Sequence, residues 1–155
     1  PKQLQISRRR LALSRDPRFG DVGKRIAVLE DLCENLILVG EYAQAIPHLQ
    51  EAESLASHIG AIGQQRRILD LQAQCLFRLD RWGEVLEVHE KCRELEERHT
   101  PEEMGMTCMI IAFSAAVLAL RGDDDQARVL REEAYAIMVR GSGGSPNKWG
   151  RTQHY

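Results

Sequence analysis

The sequence is poor in aromatic residues and proline, and its charges almost cancel. Aromatic residues make up 5% of the 155 positions, there are 5 prolines, and the net charge is −2. A chain whose apolar residues are mainly Leu, Ala, Ile and Val favours an all-α protein, because strands are enriched in aromatic and β-branched residues. A net charge so close to zero does not favour nucleic acid or a membrane surface as the partner.

The sequence motifs of common catalytic and cofactor sites are also missing. No GxGxxG, P-loop or HExxH motif occurs in the chain. His89 and Cys92 lie three residues apart on one predicted helix, and Cys75 is on the neighbouring one, but a zinc site would need a fourth ligand. Packed thiols are the favoured interpretation, and nothing supplies an oxyanion hole for a Cys–His pair. The sequence therefore predicts no enzyme, no cofactor and no metal site.

The chain has few features of a secreted or membrane protein. Its cysteines form no CxxC pair and lie among apolar residues, at Cys33, Cys75, Cys92 and Cys108. Reduced core thiols predict an intracellular protein, cytoplasmic or nuclear. The charge-free stretch from Met104 to Leu120 is shorter than the ~20 residues that cross a bilayer. A buried helix is therefore the favoured interpretation of this stretch, and no membrane contact is predicted.

One sequence pattern recurs three times, at a spacing of 40 and then 42 residues. Five columns keep this offset: Cys33/Ala73/Ala115, Gly40/Asp80/Gly122, Tyr42/Trp82/Asp124, Ala45/Val85/Ala127 and Ala52/Cys92/Ala134. A fixed period between about 20 and 50 residues is typical of stacked repeats. A helix pair cannot bury its apolar face alone, so stacking several pairs is required for a continuous core.

Turn signals and apolar spacing divide the chain into segments. We expect a helical repeat domain over residues 1–140, comprising a partial preceding repeat (4–19), repeat 1 (21–58), repeat 2 (61–98) and repeat 3 (100–140). Asp21 is predicted to cap the first long helix, and Pro47 is expected inside the second, where it removes a backbone hydrogen bond and bends the helix. The basic run Arg8 to Arg10 is interpreted as a solvated helix face rather than a nucleic-acid site.

Further helix boundaries are predicted inside repeats 2 and 3. The third long helix is expected to begin at Arg66, and the next to end near Arg98. Thr100 and Glu103 form a capping box for the helix that ends at Leu120. The acidic run after Gly122 is expected to start the last helix.

The turn–aromatic–alanine pattern resembles the tetratricopeptide repeat. Repeat 1 matches best, through Leu32, Cys33, Gly40, Tyr42, Ala45 and Ala52. Repeat 2 has Asp80 at the turn, repeat 3 has Asp124 at the aromatic position, and the closing proline is missing from all three. The period also exceeds the usual ~34 residues, which we interpret as longer helices. The resemblance implies an all-α fold, a right-handed α-α superhelix of about three helix pairs plus an N-terminal helix.

In that family the first helix of each pair lines a concave groove. The resemblance therefore implies peptide-binding candidates at Glu30, Glu34, Ile37, Leu38, Arg67, Asp70, Gln74, Phe77, Arg78 and Met109, followed by Ala112, Ala116 and Leu120. We expect these side chains to be exposed, forming a surface that is acidic at one end and apolar at the other. Ordinary solvated or packed residues are an equally compatible interpretation for half of them.

Such a groove suits an extended partner peptide with basic and aromatic side chains. The resulting prediction is a protein–protein interaction module, a scaffold or adaptor, whose charged contacts set specificity and whose aromatic contacts supply affinity. The alternative is a structural or regulatory helical segment of a larger multidomain protein that packs on neighbouring domains. That alternative predicts a large apolar patch on an end or on the convex face.

The composition changes abruptly after Arg140. Residues 141–145 are Gly and Ser only, which predicts a flexible linker, and 146–155 (PNKWGRTQHY) are too few to fold. This tail is either a vector remnant or a tethered partner peptide that occupies the groove. We favour the second, because a remnant has no reason to combine Lys148, Trp149, Arg151 and Tyr155.

Overall fold

The computed structural model describes residues 2–16, 20–99 and 109–141, and within these ranges the chain is entirely helical apart from its turns. Seven helices are described: α1 Lys2–Ser14, α2 Val22–Leu38, α3 Tyr42–His58, α4 Ile62–Arg78, α5 Trp82–Glu96, α6 Met109–Leu120 and α7 Asp124–Gly141. The all-α prediction is confirmed for this part of the chain.

Each helix packs against its neighbour in sequence. α1 lies on α2, α2 on α3, α3 on α4, α4 on α5, and α6 on α7, while α6 also contacts both α4 and α5. The core is thus shared between consecutive elements rather than gathered around one central helix. This arrangement is the one that repeated helix pairs require, since each pair buries its apolar side against the next.

The same turn closes four of the helices. Its first residue has a positive φ, which is +80° at Gly40, +69° at Gly60, +57° at Asp80 and +82° at Gly122. In the first turn the amide of Glu41 donates to the carbonyl of Leu36 at 2.8 Å, and an equivalent bond of 2.9 Å closes each of the other three. This six-to-one bond in a left-handed turn is the Schellman motif.

The length of the helices accounts for the repeat period. α2, α3 and α4 each contain 17 residues, and three residues connect one to the next. One pair of such helices with its turns spans the 40-residue period, so the prediction of longer helices is confirmed here. α3 also runs through Pro47 as expected.

The repeat columns form the centre of the core. Cys33, Ala73 and Ala115 are at most 1% exposed, and the other two core columns, which begin at Ala45 and Ala52, are buried throughout. These positions hold small residues in most repeats, which lets the helices approach closely. The predicted stripe of α2 is buried as well, at Ile26, Leu29, Leu32, Cys33 and Leu36.

The helix boundaries follow the predictions with one clear exception. Asp21 caps α2 by accepting the amide of Lys24 at 3.2 Å, and Asp123 caps α7 by accepting that of Gln126 at 3.4 Å. α4, however, begins at Ile62 and not at Arg66. Its first turn includes Gly63, whose usual cost in a helix is smallest at a terminus, where few intrahelical hydrogen bonds depend on it.

Several predictions fall outside the described residues. They are the capping box at 100–103, the linker from residue 142 onward, and the whole tail with Lys148, Trp149, Arg151 and Tyr155. Among the described residues no helix is both long and apolar enough to span a membrane. The described part of the apolar stretch, α6, packs against α4, α5 and α7 instead.

Candidate functional site

The first helices of the three pairs, α2, α4 and α6, are joined by side-chain contacts, and together they present a surface that we call the α2–α4–α6 face. Arg67 of α4 reaches across to α2, where its guanidinium forms a hydrogen-bonded ion pair with Glu34. The Nε atom of Arg67 also lies 3.6 Å from the Oε1 atom of Glu30. The hydrogen bond to Glu34 raises the pKa of the Arg67 side chain.

Two contacts connect α4 with α6 on the same face. The Oδ1 atom of Asp70 accepts the backbone amide of Ile110 at 3.1 Å, in the first described turn of α6. Further along both helices, the rings of Phe77 and Phe113 lie with their centroids 5.1 Å apart at a tilt of 36°. A carboxylate at the N-terminal end of a helix is electrostatically favourable, so Asp70 has a structural role in the contact between repeats.

The expectation that Glu30 and Asp70 are exposed is wrong. They are 7% and 8% exposed, respectively. Both lie between adjacent first helices. The guanidinium of Arg67 lies over Glu30, and the carboxylate of Asp70 accepts a hydrogen bond from the backbone amide of Ile110. The acidic end of the predicted groove is therefore largely neutralised by a cation from the next repeat.

Burial has a consequence for the protonation of Glu30. Desolvation raises the pKa of its carboxyl group above the ordinary value of 4.5, and Arg67 only partly opposes this effect. Between pH 4.5 and the raised pKa the folded chain therefore binds more protons than the unfolded one. In that window Glu30 makes the protein less stable as the pH rises.

The other predicted residues lie at or near the surface. Leu38 is 82% exposed and Met109 is 44% exposed. Arg67 and Arg78 are exposed, whereas Glu34, Ile37, Gln74 and Phe77 are half-buried. Exposure follows the repeat columns: Ala27/Arg67/Met109 and Leu38/Arg78/Leu120 are exposed in all three helices. The α2–α4–α6 face thus has an apolar and basic surface, with the acidic groups beneath it or paired.

The residues considered for metal or nucleophilic chemistry are buried and neutral. Burial raises the pKa to about 12 for Cys33 and Cys92 and to about 11 for Cys75, which we call the three buried thiols. Burial also lowers the pKa of His89. Because thiolates, not thiols, act as nucleophiles and metal ligands, these cysteines belong to the core. Within the described ranges, no group of three or more His, Cys, Asp or Glu residues could hold a metal ion.

The second helices, α3, α5 and α7, carry none of the predicted site residues. The structure has two clefts between them, one above Gln72 of α4 and one above Leu118 of α6. A signal was present in the sequence, because Gln72 is a polar residue three positions after Leu69 and four before Leu76, a spacing that places it on their side of the helix. Its burial was foreseeable, but its lack of a hydrogen-bond partner depends on the tertiary structure.

Comparison with known proteins does not extend these observations. No family model matches the chain, and neither the curated proteins nor the solved structures contain a significant match. The resemblance to the tetratricopeptide repeat stays a prediction, and a functional proposal has to rest on the geometry of the described helices.

Proposed function

We propose that the chain is a tetratricopeptide-like protein–protein interaction module, a scaffold or adaptor. Its helix pairs would follow a right-handed superhelix with the α2–α4–α6 face on the concave side. An extended segment of a partner protein would lie across this face. Its apolar or aromatic side chains would supply most of the affinity, as the central anchors of protein interfaces do.

The observation that carries this proposal is the exposure of large apolar side chains in matching columns. Leu38, Met109 and Leu120 are 82%, 44% and 58% exposed, and the last two are on the same helix. α2, α4 and α6 are joined by the contacts of Arg67 and Asp70, so these side chains belong to one surface. Exposed apolar groups on a surface with preformed cross-helix contacts favour a partner that covers them.

The described geometry changes the expected role of the partner's basic residues. A lysine or arginine that approaches Glu34 has to compete with Arg67, which already pairs with it. Such an exchange of one cation for another contributes little net affinity, but it does discriminate between partners. The preference for a basic and aromatic peptide therefore rests mainly on its aromatic residues.

Paired substitutions on the exposed apolar groups would test the proposal. Leu38→Asp with Leu120→Asp should weaken binding of the physiological partner by tenfold or more (about 1.4 kcal/mol per tenfold). Ile59→Asp is the matched control, because Ile59 is 45% exposed but lies in the α3–α4 turn. Affinity capture followed by quantitative mass spectrometry would compare the three proteins. Partners that stay bound to the double variant would contradict the proposal.

The tail can be tested directly as a ligand. A synthetic peptide of residues 146–155 would be titrated by calorimetry into a chain that ends at Gly141, with a scrambled peptide as control. Binding that is lost in the Leu38→Asp/Leu120→Asp variant would support the tethered-peptide interpretation. Absence of binding at about 1 mM peptide would refute it without affecting the proposal for other partners.

One observation favours the alternative, a segment that packs on neighbouring domains. α1 exposes Ile6 at 51% and Leu13 at 59%, and residues seven apart lie on the same side of a helix. Ile6→Asp/Leu13→Asp should disrupt contacts with a neighbouring domain while leaving peptide binding on the α2–α4–α6 face intact. If this variant alone loses its partners, the alternative is the better description.

A further inference from the structure

The second helices form two small clefts on the side of the molecule that α3, α5 and α7 occupy. The Gln72 cleft lies between α3 and α5 above α4 and has a volume of about 120 Å³. The Leu118 cleft lies between α5 and α7 above α6 and has a volume of about 420 Å³. Gln72 is about 200° around the helix from Asp70, so these clefts face away from the α2–α4–α6 face.

The two clefts are equivalent by the internal repeat. Offsets of 40 and 42 residues relate their lining positions: Ile46/Leu86, Gln50/Glu90, Glu53/Arg93, Leu76/Leu118, Glu84/Gln126, Glu87/Val129 and Val88/Leu130. The same architecture therefore builds both clefts, and only the side chains differ. The Gln72 cleft has an acidic rim, and the Leu118 cleft has an apolar lining.

The floor of the first cleft contains a buried polar group without a partner. Gln72 is 5% exposed, lines the cleft, and its Nε2 atom has no hydrogen-bond partner among the described residues. Native proteins pair almost all such groups. Leu32, at the equivalent position of α2, is apolar and fully packed, so the fold itself does not require an amide there.

The walls and rim of this cleft indicate what it could bind. Ile46, Leu76 and Val88 provide an apolar wall. Glu53, Glu84 and Glu87 lie at the rim, opposed by one cation, Lys91. Glu84 already pairs with Arg81, whereas Glu87 has no ion-pair partner within the described ranges.

We propose that the Gln72 cleft binds the side chain of a lysine presented by a partner protein. The methylene stem of the lysine packs against the wall formed by Ile46 and Val88. Its ammonium group donates to Glu87. It also donates to Gln72, whose carboxamide has to turn so that the Oε1 atom takes the unpaired position of the Nε2 atom and accepts. The cleft is small, at about 120 Å³, which suits a compact ammonium better than a planar guanidinium.

The neighbouring cleft explains why the ligand is a protein segment and not a free amine. The charges at the rim of the Leu118 cleft pair among themselves, Glu90 with Arg93 at 3.8 Å and Asp125 with Arg128 at 3.7 Å. Its apolar floor is thus left for an apolar side chain. Both clefts are lined by α5, so one extended segment that crosses α5 can present a side chain to each.

The proposal is tested by titrating the isotope-labelled full chain with the tripeptide Ac-Ala-Lys-Ala-NH2 and following its amide resonances. We expect saturable shifts of the Gln72 side-chain amide and of the Val88 backbone amide, with a Kd of about 1–20 mM. The same tripeptide with norleucine in place of lysine keeps the stem but lacks the charge, and it should not produce these shifts.

Three variants make the result specific. Glu87→Gln should weaken the binding about threefold or more, and Gln72→Leu, which copies the equivalent residue of α2, should abolish the shifts at Val88. Glu94→Gln removes the same charge from the same side of α5, two helical turns beyond the cleft, and is the matched control. Equal binding of the norleucine peptide, equal weakening by Glu94→Gln, or no saturable shift up to about 50 mM would overturn the proposal.

Discussion

Replacing Asp80 with glycine should stabilise the protein, because Asp80 is the exception in a set of four equivalent turns. Its φ is +57°, whereas the three other turns have glycine in this conformation. A left-handed backbone costs an L-residue about 1–2 kcal/mol, less for Asp than for most. Replacing Asp80 with glycine removes this cost. The greater conformational entropy of glycine in the unfolded chain offsets about 0.4–1 kcal/mol of that gain in stability.

A second term adds to the expected stabilisation. The carboxylate of Asp80 follows the C-terminus of α4, where a negative charge is unfavourable by about 0.3–1 kcal/mol at low ionic strength. The combined expectation for Asp80→Gly is therefore an increase of about 0.5–1 kcal/mol in the free energy of unfolding. Asp80→Asn keeps the tolerance of the left-handed conformation and removes only the charge, so it should give the smaller, electrostatic part.

The converse substitution is Gly60→Ala. An added Cβ at Gly60 would meet no atom within 4 Å, so its cost is conformational and amounts to about 1 kcal/mol. Urea unfolding followed by far-UV circular dichroism would measure all three variants, with an unchanged m-value as the check for an unaltered transition. A loss of stability in Asp80→Gly, or none in Gly60→Ala, would refute the equivalence of the four turns.

Three further predictions concern buried groups. Glu30→Gln should raise the stability at pH 7 and remove the loss of stability that Glu30 causes as the pH rises from 4.5 through its raised pKa, measured by urea unfolding as a function of pH. In a Cys108→Ser background the three buried thiols should not react with Ellman's reagent at pH 8 until denaturant is added, because thiols with pKa values near 11 to 12 remain protonated. Glu96→Ala should cost about 1–2 kcal/mol, since it removes a carboxylate that pairs at 2.9 Å with the buried guanidinium of Arg66 (3% exposed). Glu97→Ala, at the exposed cap of the same helix, should be close to neutral in thermal unfolding.

The repeat columns were predictable from sequence because the physics behind them is local. A left-handed turn selects glycine, and a close helix crossing selects Ala or Cys, whatever the rest of the chain does. The residue types of Gly40, Cys33 and Ala45 therefore indicate a left-handed turn and two close helix crossings. In the structure Gly40 has a positive φ, and Cys33 and Ala45 are fully buried. Asp80 was recognised as a turn only through its position in the column, since its residue type alone does not require a positive φ.

The exposure of the site residues was less predictable because it is decided between elements. Glu30 and Asp70 are acidic residues on helix faces that sequence alone marks as solvated. They are buried because residues of the next repeat contact them: Arg67 lies over Glu30, and the backbone amide of Ile110 donates to Asp70. Nothing near Glu30 in the sequence indicates a cation 37 positions away. The repeat columns indicate which residues share a face, but the pairing across repeats depends on the three-dimensional arrangement.

The two sides of the helix array differ in how far their polar groups are already satisfied. On the α2–α4–α6 face, Arg67 already pairs with Glu34, and Asp70 accepts the backbone amide of Ile110. A partner that binds there as proposed would gain little from new polar contacts. It would bind chiefly through the exposed side chains of Leu38 and Met109. On the opposite side, the Nε2 atom of Gln72 has no hydrogen-bond partner among the described residues, and a ligand that pairs with this end of the amide removes an existing desolvation penalty. Apolar area should therefore govern affinity on the first side, and hydrogen-bond chemistry should govern selectivity on the second. High salt should leave the first interaction largely unchanged and weaken the second, because only the second depends on an ammonium meeting a carboxylate near the surface.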